Sequence, residues 1–119
     1  MFYKFIEEFS DIIAGYKVVE FKRYGPAMSL VAKIEFKDGS FLFAKDYLFL
    51  NGKRKYSYHW QDKDGNIISR WDDSPHHEKV STFPHHKHMP GDVVASSKER
   101  TLKDVLKVIR EAGSEESKT

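Results

Sequence analysis

Residues 28–52 read MSLVAKIEFKDGSFLFAKDYLFLNG, and the reading of this stretch decides the fold. Met28, Leu30, Ala32, Ile34 and Phe36 alternate with mostly polar positions, the period of two expected of a strand with one buried face. Lys37-Asp38-Gly39-Ser40 then supplies a hairpin turn, because an Asp-Gly pair tolerates the positive φ that tight connections require. Phe41–Leu50 resumes as a strand that is apolar on both faces apart from Lys45 and Asp46, which predicts a central position in a sheet. Asn51-Gly52 closes it with another hairpin signal. Strands joined by hairpin turns with no helix between them form an antiparallel meander, not a βαβ arrangement.

The pattern extends outward on both sides. Lys53–Gln61 and Asn66–Asp72 read as the fourth and fifth strands, joined by Asp62-Lys63-Asp64-Gly65. Tyr16–Tyr24, rich in Val, Phe and Tyr and broken by Gly25-Pro26, is the first. Ahead of it, Phe2, Phe5, Ile6, Phe9, Ile12 and Ile13 recur at helical spacing opposite Lys4, Glu7, Glu8 and Asp11, and Gly15 is placed to end an amphipathic helix. After Asp72 no further element is expected before Thr101, where Thr101 and Asp104 occupy capping-box positions. Leu102, Val105, Leu106 and Ile109 give the helix that follows an apolar stripe, and Gly113 is placed to stop it. The expected fold class is α+β: an antiparallel β-meander of about five strands with an N-terminal and a C-terminal helix packed on the sheet. A single domain is expected over 1–113, with a His-rich loop at 73–100 and a polar tail at 114–119.

Composition narrows the class of function. At 119 residues the chain can bury a modest core without staples, and it has no Cys, which rules out disulfides and thiolate chemistry. No apolar run approaches the roughly 20 residues that span a bilayer, so no membrane association is expected. Glu7, Glu8 and Asp11 interrupt the N-terminal apolar stretch, so it does not resemble a signal peptide, and a cytoplasmic location is expected. The formal charge of +2 is compatible with an anionic partner such as RNA, and six histidines can add to it on acidification. There is no GxGxxG, no P-loop and no nucleophile elbow.

The chemistry concentrates in Pro75–His88, PHHEKVSTFPHHKH, which holds five of the six histidines: His76, His77, His85, His86 and His88. Imidazole exchanges protons near neutrality and also binds metals through a neutral ring nitrogen. Arg70 and Asp72 share a strand face a few residues upstream, and His59 lies on the preceding strand. A two-residue Asp64-Gly65 turn sets His59 opposite Arg70 and Ser57 opposite Asp72, whereas a type I turn with a Gly bulge sets Tyr58 opposite Arg70. The sequence leaves that register open. The favoured reading is RNA cleavage without metal. Acid and base are drawn from His76, His77, His85, His86 and His88, Arg70 and Lys87 contact phosphate, and His59 and Asp72 give support. The alternatives are a metal held among the same five histidines, and a non-enzymatic binding surface. Trp60, Trp71, Tyr56 and Tyr58 are expected to pack against a helix, not to stack bases, and Asp62 and Asp64 to form a plain turn.

Tyr58-His59-Trp60, Arg70-Trp71-Asp72, Pro75-His76-His77 and Phe83-Pro84-His85-His86-Lys87-His88 together resemble the TumE-type family of toxin–antitoxin systems. The resemblance covers nearly the whole chain, with Asp73-Ser74 departing from the Asn-Ala expected there. It implies a small prokaryotic growth-inhibiting toxin encoded with an antitoxin that carries a helix-turn-helix domain. No cofactor is implied, and the oligomeric state, monomer or homodimer, is left open. Ribonuclease activity is inferred from the His/Arg set and from how often toxins of such modules attack RNA.

Overall fold

The computed structural model describes the backbone of residues 1–117 and the side chains of residues 1–113. Helix α1 (Phe2–Glu8) is followed by strands β1 (Ile13–Tyr24), β2 (Ala27–Phe36), β3 (Phe41–Leu48), β4 (Arg54–Gln61) and β5 (Ile67–Asp72). Two short strands, β6 (His86–Met89) and β7 (Val93–Ser96), precede helix α2 (Leu102–Ser117). All seven strands lie in one antiparallel sheet in sequence order. The α+β meander is as expected, but among the described residues it has seven strands where the sequence predicts about five.

The added strands lie inside the stretch 73–100 that was expected to be loop. Each has only four residues, too few for a periodic pattern to stand out beside clustered histidines. Their turn was nevertheless written in the sequence: Pro90-Gly91-Asp92 separates Met89 from its partner Val93, and Gly91 and Asp92 both take positive φ.

The β2–β3, β3–β4 and β4–β5 hairpins share one turn geometry. The amides of Gly39, Gly52 and Gly65 donate to the carbonyls of Phe36, Phe49 and Asp62, and the amides of those three donate to Ser40, Lys53 and Asn66. Each glycine has φ between +83° and +89°, the left-handed position of a type I turn closed by a glycine bulge. At the Asp62–Gly65 turn this sets Gln61 opposite Ile67. A second irregularity at Ile68 then adds one residue, so that Trp60 meets Ser69, His59 meets Arg70 and Ser57 meets Asp72. The bulged turn and the register of the two-residue alternative therefore occur together, which neither sequence alternative anticipated.

Both helix ends differ from expectation. Helix α1 stops at Glu8 because Ile13 already pairs with Phe36, and Gly15 sits within β1 at a bulge with negative φ instead of capping a helix. Helix α2 continues through Gly113 to Ser117, since a glycine with helical φ costs only about 1 kcal/mol against Ala and stops nothing. Lys118 and Thr119 of the expected polar tail lie outside the described residues.

The core occupies one face of the sheet. Leu30, Ala32, Ile34, Leu42, Ala44, Tyr56, Tyr58, Trp60 and Trp71 cluster there with Phe2 and Phe9 from the N-terminal segment and Leu102, Val105, Leu106 and Ile109 of α2. Arg110 ties the two helical segments together through the Glu8 carbonyl at 2.7 Å and the Asp11 carboxylate at 2.6 Å. Among the described residues the opposite face carries no helix. That open face bears the residues described next.

Candidate functional site

Alternation along a strand decides which side chains can meet. Asp72 pairs with His86 and Arg70 with His88 across β5 and β6, so all four project from the open face. His77 reaches the same place from the turn that follows Pro75: its ring centroid lies 4.7 Å from that of His86 and 5.4 Å from that of His88, both edge-on.

Asp72 is the hub. It is 4% exposed, and its carboxylate lies 2.9 Å from His86 Nε2, 3.4 Å from His88 Nε2 and 3.3 Å from Arg70 Nε, while accepting the Ser74 amide at 3.0 Å. Burial on its own raises this carboxyl, but the Ser74 amide, His86, Arg70 and His88 outweigh it and hold it below the ordinary aspartate range.

The tautomer of His86 carries the chemical argument. Its Nδ1 lies 2.9 Å from the Pro84 carbonyl, an acceptor, so Nδ1 bears the hydrogen. Nε2 then faces the Asp72 carboxylate at 2.9 Å and His88 Nε2 at 3.1 Å. A bare nitrogen there would set lone pair against lone pair. The triangle of His86, His88 and Asp72 therefore calls for a proton or a metal ion on His86 Nε2. Ligating atoms of His77, His86 and His88 all lie within 4.8 Å of one another. Ligand bonds of about 2.0–2.2 Å around a tetrahedral ion give ligand–ligand edges of about 3.3 Å, close to the distances within the triangle.

Access separates the roles. The His86 side chain is 2% exposed and the His88 side chain 30%, and His77 is half-buried. Burial, reinforced by His86, His77 and Arg70 and opposed by Asp72, holds His88 below the ordinary imidazole value. Arg70 Nε is engaged with Asp72, which leaves its Nη donors for an incoming anion. His59 faces Arg70 on β4, and burial and then the Arg70 charge lower it. Its Nδ1 is buried without a hydrogen-bond partner among the described residues.

The other candidates lie apart. Lys87 pairs with Trp71 and so projects to the helix-covered face, away from His86 and His88. His85 is on that same side, where Nδ1 lies 2.8 Å from the Tyr56 hydroxyl and the two rings stack at 5.8 Å. His76 is exposed at the rim of a cavity that His77 also lines. Three of the five loop histidines thus converge with Asp72 and Arg70, while His85 and Lys87 do not.

Sequence reasoning missed a second polar network on the helix side. Arg54 binds Asp46 through Nε and Nη2 at 2.9 Å each, the Tyr58 hydroxyl at 2.6 Å and the Arg100 carbonyl, and the Tyr58 hydroxyl donates to Asp46 at 2.7 Å. The signal was Asp46 itself, an acid breaking an otherwise apolar strand. The network anchors the segment before α2, and Tyr56, Tyr58, Trp60 and Trp71 are buried as core, as their pattern suggests.

A one-sided α+β meander whose open face gathers imidazoles, a buried carboxylate and a guanidinium defines a class: a small domain equipped for proton transfer or metal binding next to an anion contact. The family model described as Toxin TumE matches residues 2–113, and the chain belongs to that family. It is accordingly a toxin of a toxin–antitoxin system, a membership that implies an antitoxin partner. No curated protein and no solved structure matches the chain. No helix among the described residues is long and apolar enough to cross a membrane.

Proposed function

We propose that this toxin cleaves RNA at the open-face cluster by proton transfer, without a metal. The observation that supports this most is the stacking of roles by depth: a buried Asp72–His86 pair beneath two solvent-reaching imidazoles, with Arg70 alongside. His88, whose hold on a proton burial weakens, takes the proton of the 2′-hydroxyl as its oxygen attacks phosphorus. His77 protonates the departing 5′-oxygen, so the products are a 2′,3′-cyclic phosphate and a 5′-hydroxyl, with the proton count balanced. Arg70 binds the phosphate through its Nη donors and stabilises the added charge. Asp72 and His86 position His88. His59 supports Arg70 from the neighbouring strand. Positioned proton transfer of this kind supplies roughly 10²–10⁴-fold.

A second reading is favoured by the grouping of His77, His86 and His88 within 4.8 Å: the same nitrogens would hold a zinc-class ion, which would supply an activated water. On either reading the toxin works in the cytoplasm and is neutralised by a helix-turn-helix antitoxin. The motif resemblance and the family membership support that part.

Purified toxin incubated with total RNA, with and without EDTA, tests the proposal. Degradation that EDTA leaves untouched is the expected result, and degradation abolished by EDTA selects the metal reading. Intact RNA alongside continued growth inhibition overturns both in favour of a toxin that acts by binding a host component.

A further inference from the structure

The strand registers align residues that the sequence keeps far apart. Lys33 pairs with Phe43, Phe43 with His59, His59 with Arg70 and Arg70 with His88. The row extends at its far end to Lys17, the β1 partner of Lys33. These positions form one straight line across the open face, from the edge strand to the candidate active site. With strands about 4.8 Å apart, the line from Lys17 to His88 crosses five strand gaps, or roughly 24 Å.

The middle of the line is a groove of about 400 Å³ lined by Phe43, Lys45, Ser57, His59 and Arg70. Phe43 is 36% exposed, with its ring centroid 6.3 Å from that of His59. Lys33 Nζ hovers 4.3 Å over the Phe41 ring and 5.6 Å from that of Phe43. No acid stands in the line. Glu35 and Glu20 lie on the same face in other rows, opposite Phe41's strand position and Val31, and Asp72 is already engaged by Arg70 and the histidines.

We propose that this row is a track for single-stranded RNA, with one base stacked on Phe43 and flanking phosphates held by Lys33, Lys45 and Arg70. The proposal rests on the RNA-cleaving reading above but holds for either the metal-free or the metal-assisted version. A flat, cationic sheet face with an exposed ring suits unpaired bases, whose faces are free to stack. A duplex keeps those faces covered and exposes only its backbone. Arg70 belongs to both the groove and the active-site cluster, so a strand lying in the groove enters the cluster without leaving the protein surface.

Fluorescence anisotropy with a labelled single-stranded RNA of about a dozen nucleotides tests the track, using the non-cleaving His77→Ala/His88→Ala double variant as parent. Adding Phe43→Ala should weaken binding about 10-fold, whereas Phe43→Trp should retain it. Lys33→Ala or Lys45→Ala should each reduce the slope of log K against log salt by about 0.7, the contribution of one phosphate contact on a single strand. Phe49→Ala, at another exposed aromatic ring, should leave affinity unchanged, and a duplex of the same sequence should bind at least 10-fold more weakly. Equal affinity for Phe43→Ala and the parent overturns the track, as does equal loss for Phe43→Ala and Phe49→Ala. So does an absence of RNA binding by the parent, or a loss by Phe43→Ala of antitoxin binding alone. The cleavage reading fails separately, when wild-type toxin binds RNA on this track yet leaves it uncut.

Discussion

At the scale of single residues, Asp72 is where burial, charge and hydrogen bonding converge, and its neighbours set what replacing it would do. Asp72→Ala leaves His86 sealed with its charge or its lone pair uncompensated, and removing one partner of such a buried pair costs about 3–5 kcal/mol. Urea denaturation should show this as a large drop in midpoint, while His76→Ala at the exposed rim should lie within about 0.5 kcal/mol of wild type. A second residue-scale prediction concerns pH. His59 and His88 both sit below the ordinary imidazole value in the folded chain, His59 through burial and then Arg70, His88 through burial first. The unfolded chain therefore takes up protons on these rings before the folded one does. As pH falls through about 6.5, where free imidazoles titrate, stability contributed by the neutral rings is lost, and above that value it is fully present. The urea midpoint should be lower at pH 5.5 than at pH 7.5, and His59→Gln should narrow the gap; a midpoint that rises on acidification contradicts the assignment. For activity, a base of this kind places the acid limb of the pH–rate profile below about 6.5, and a rate that is flat from pH 5 to 9 argues against acid–base histidines.

Secondary-structure elements show what could be read from the sequence and what could not. The alternation of Met28, Leu30, Ala32, Ile34 and Phe36 was legible because one face of β2 is buried along its whole length. The Asp-Gly and Asn-Gly turns were legible because only residues tolerant of positive φ fit them. Strand β6 was not, since its four residues His86–Met89 contain chemistry instead of an apolar pattern. That omission mattered for the site. A loop allows all five histidines to meet, whereas a strand sends His86 and His88 to one face and Lys87 to the other. The register between β4 and β5 was one of two the sequence offered, and it could not be chosen there because two irregularities, at Gly65 and at Ile68, cancel. Deleting Ile68 should remove the second of them and leave Ser69–Asp72 in the same register against β4, because Ser69 then follows Ile67 directly opposite Trp60. Arg70 and Asp72 stay on the open face, and the deletion variant should remain toxic where circular dichroism shows a folded chain. A folded but harmless deletion variant would contradict this register.

At the scale of the whole molecule, the fold divides its labour between two faces. One face buries the aromatic core under α1 and α2, with the Arg54–Asp46–Tyr58 network fastening the chain ahead of α2. Leu106, fully buried in α2, should cost about 2–5 kcal/mol as Leu106→Ala, read as a fall in thermal midpoint with toxicity surviving at permissive temperature. The other face, free of helices among the described residues, presents the cluster. Family membership implies an antitoxin, and co-expression with it should relieve growth arrest and yield a complex that co-purifies. Failure on both counts would refute that pairing.

The central claim is that His77, His86 and His88, not the whole His-rich segment, form the site with Asp72 and Arg70. The most direct test compares growth arrest on induction of two double variants drawn from the same fourteen residues. His77→Ala/His88→Ala should abolish arrest while the protein accumulates to wild-type levels, and His76→Ala/His85→Ala should remain toxic. A toxic His77→Ala/His88→Ala variant beside a harmless His76→Ala/His85→Ala variant would contradict the account.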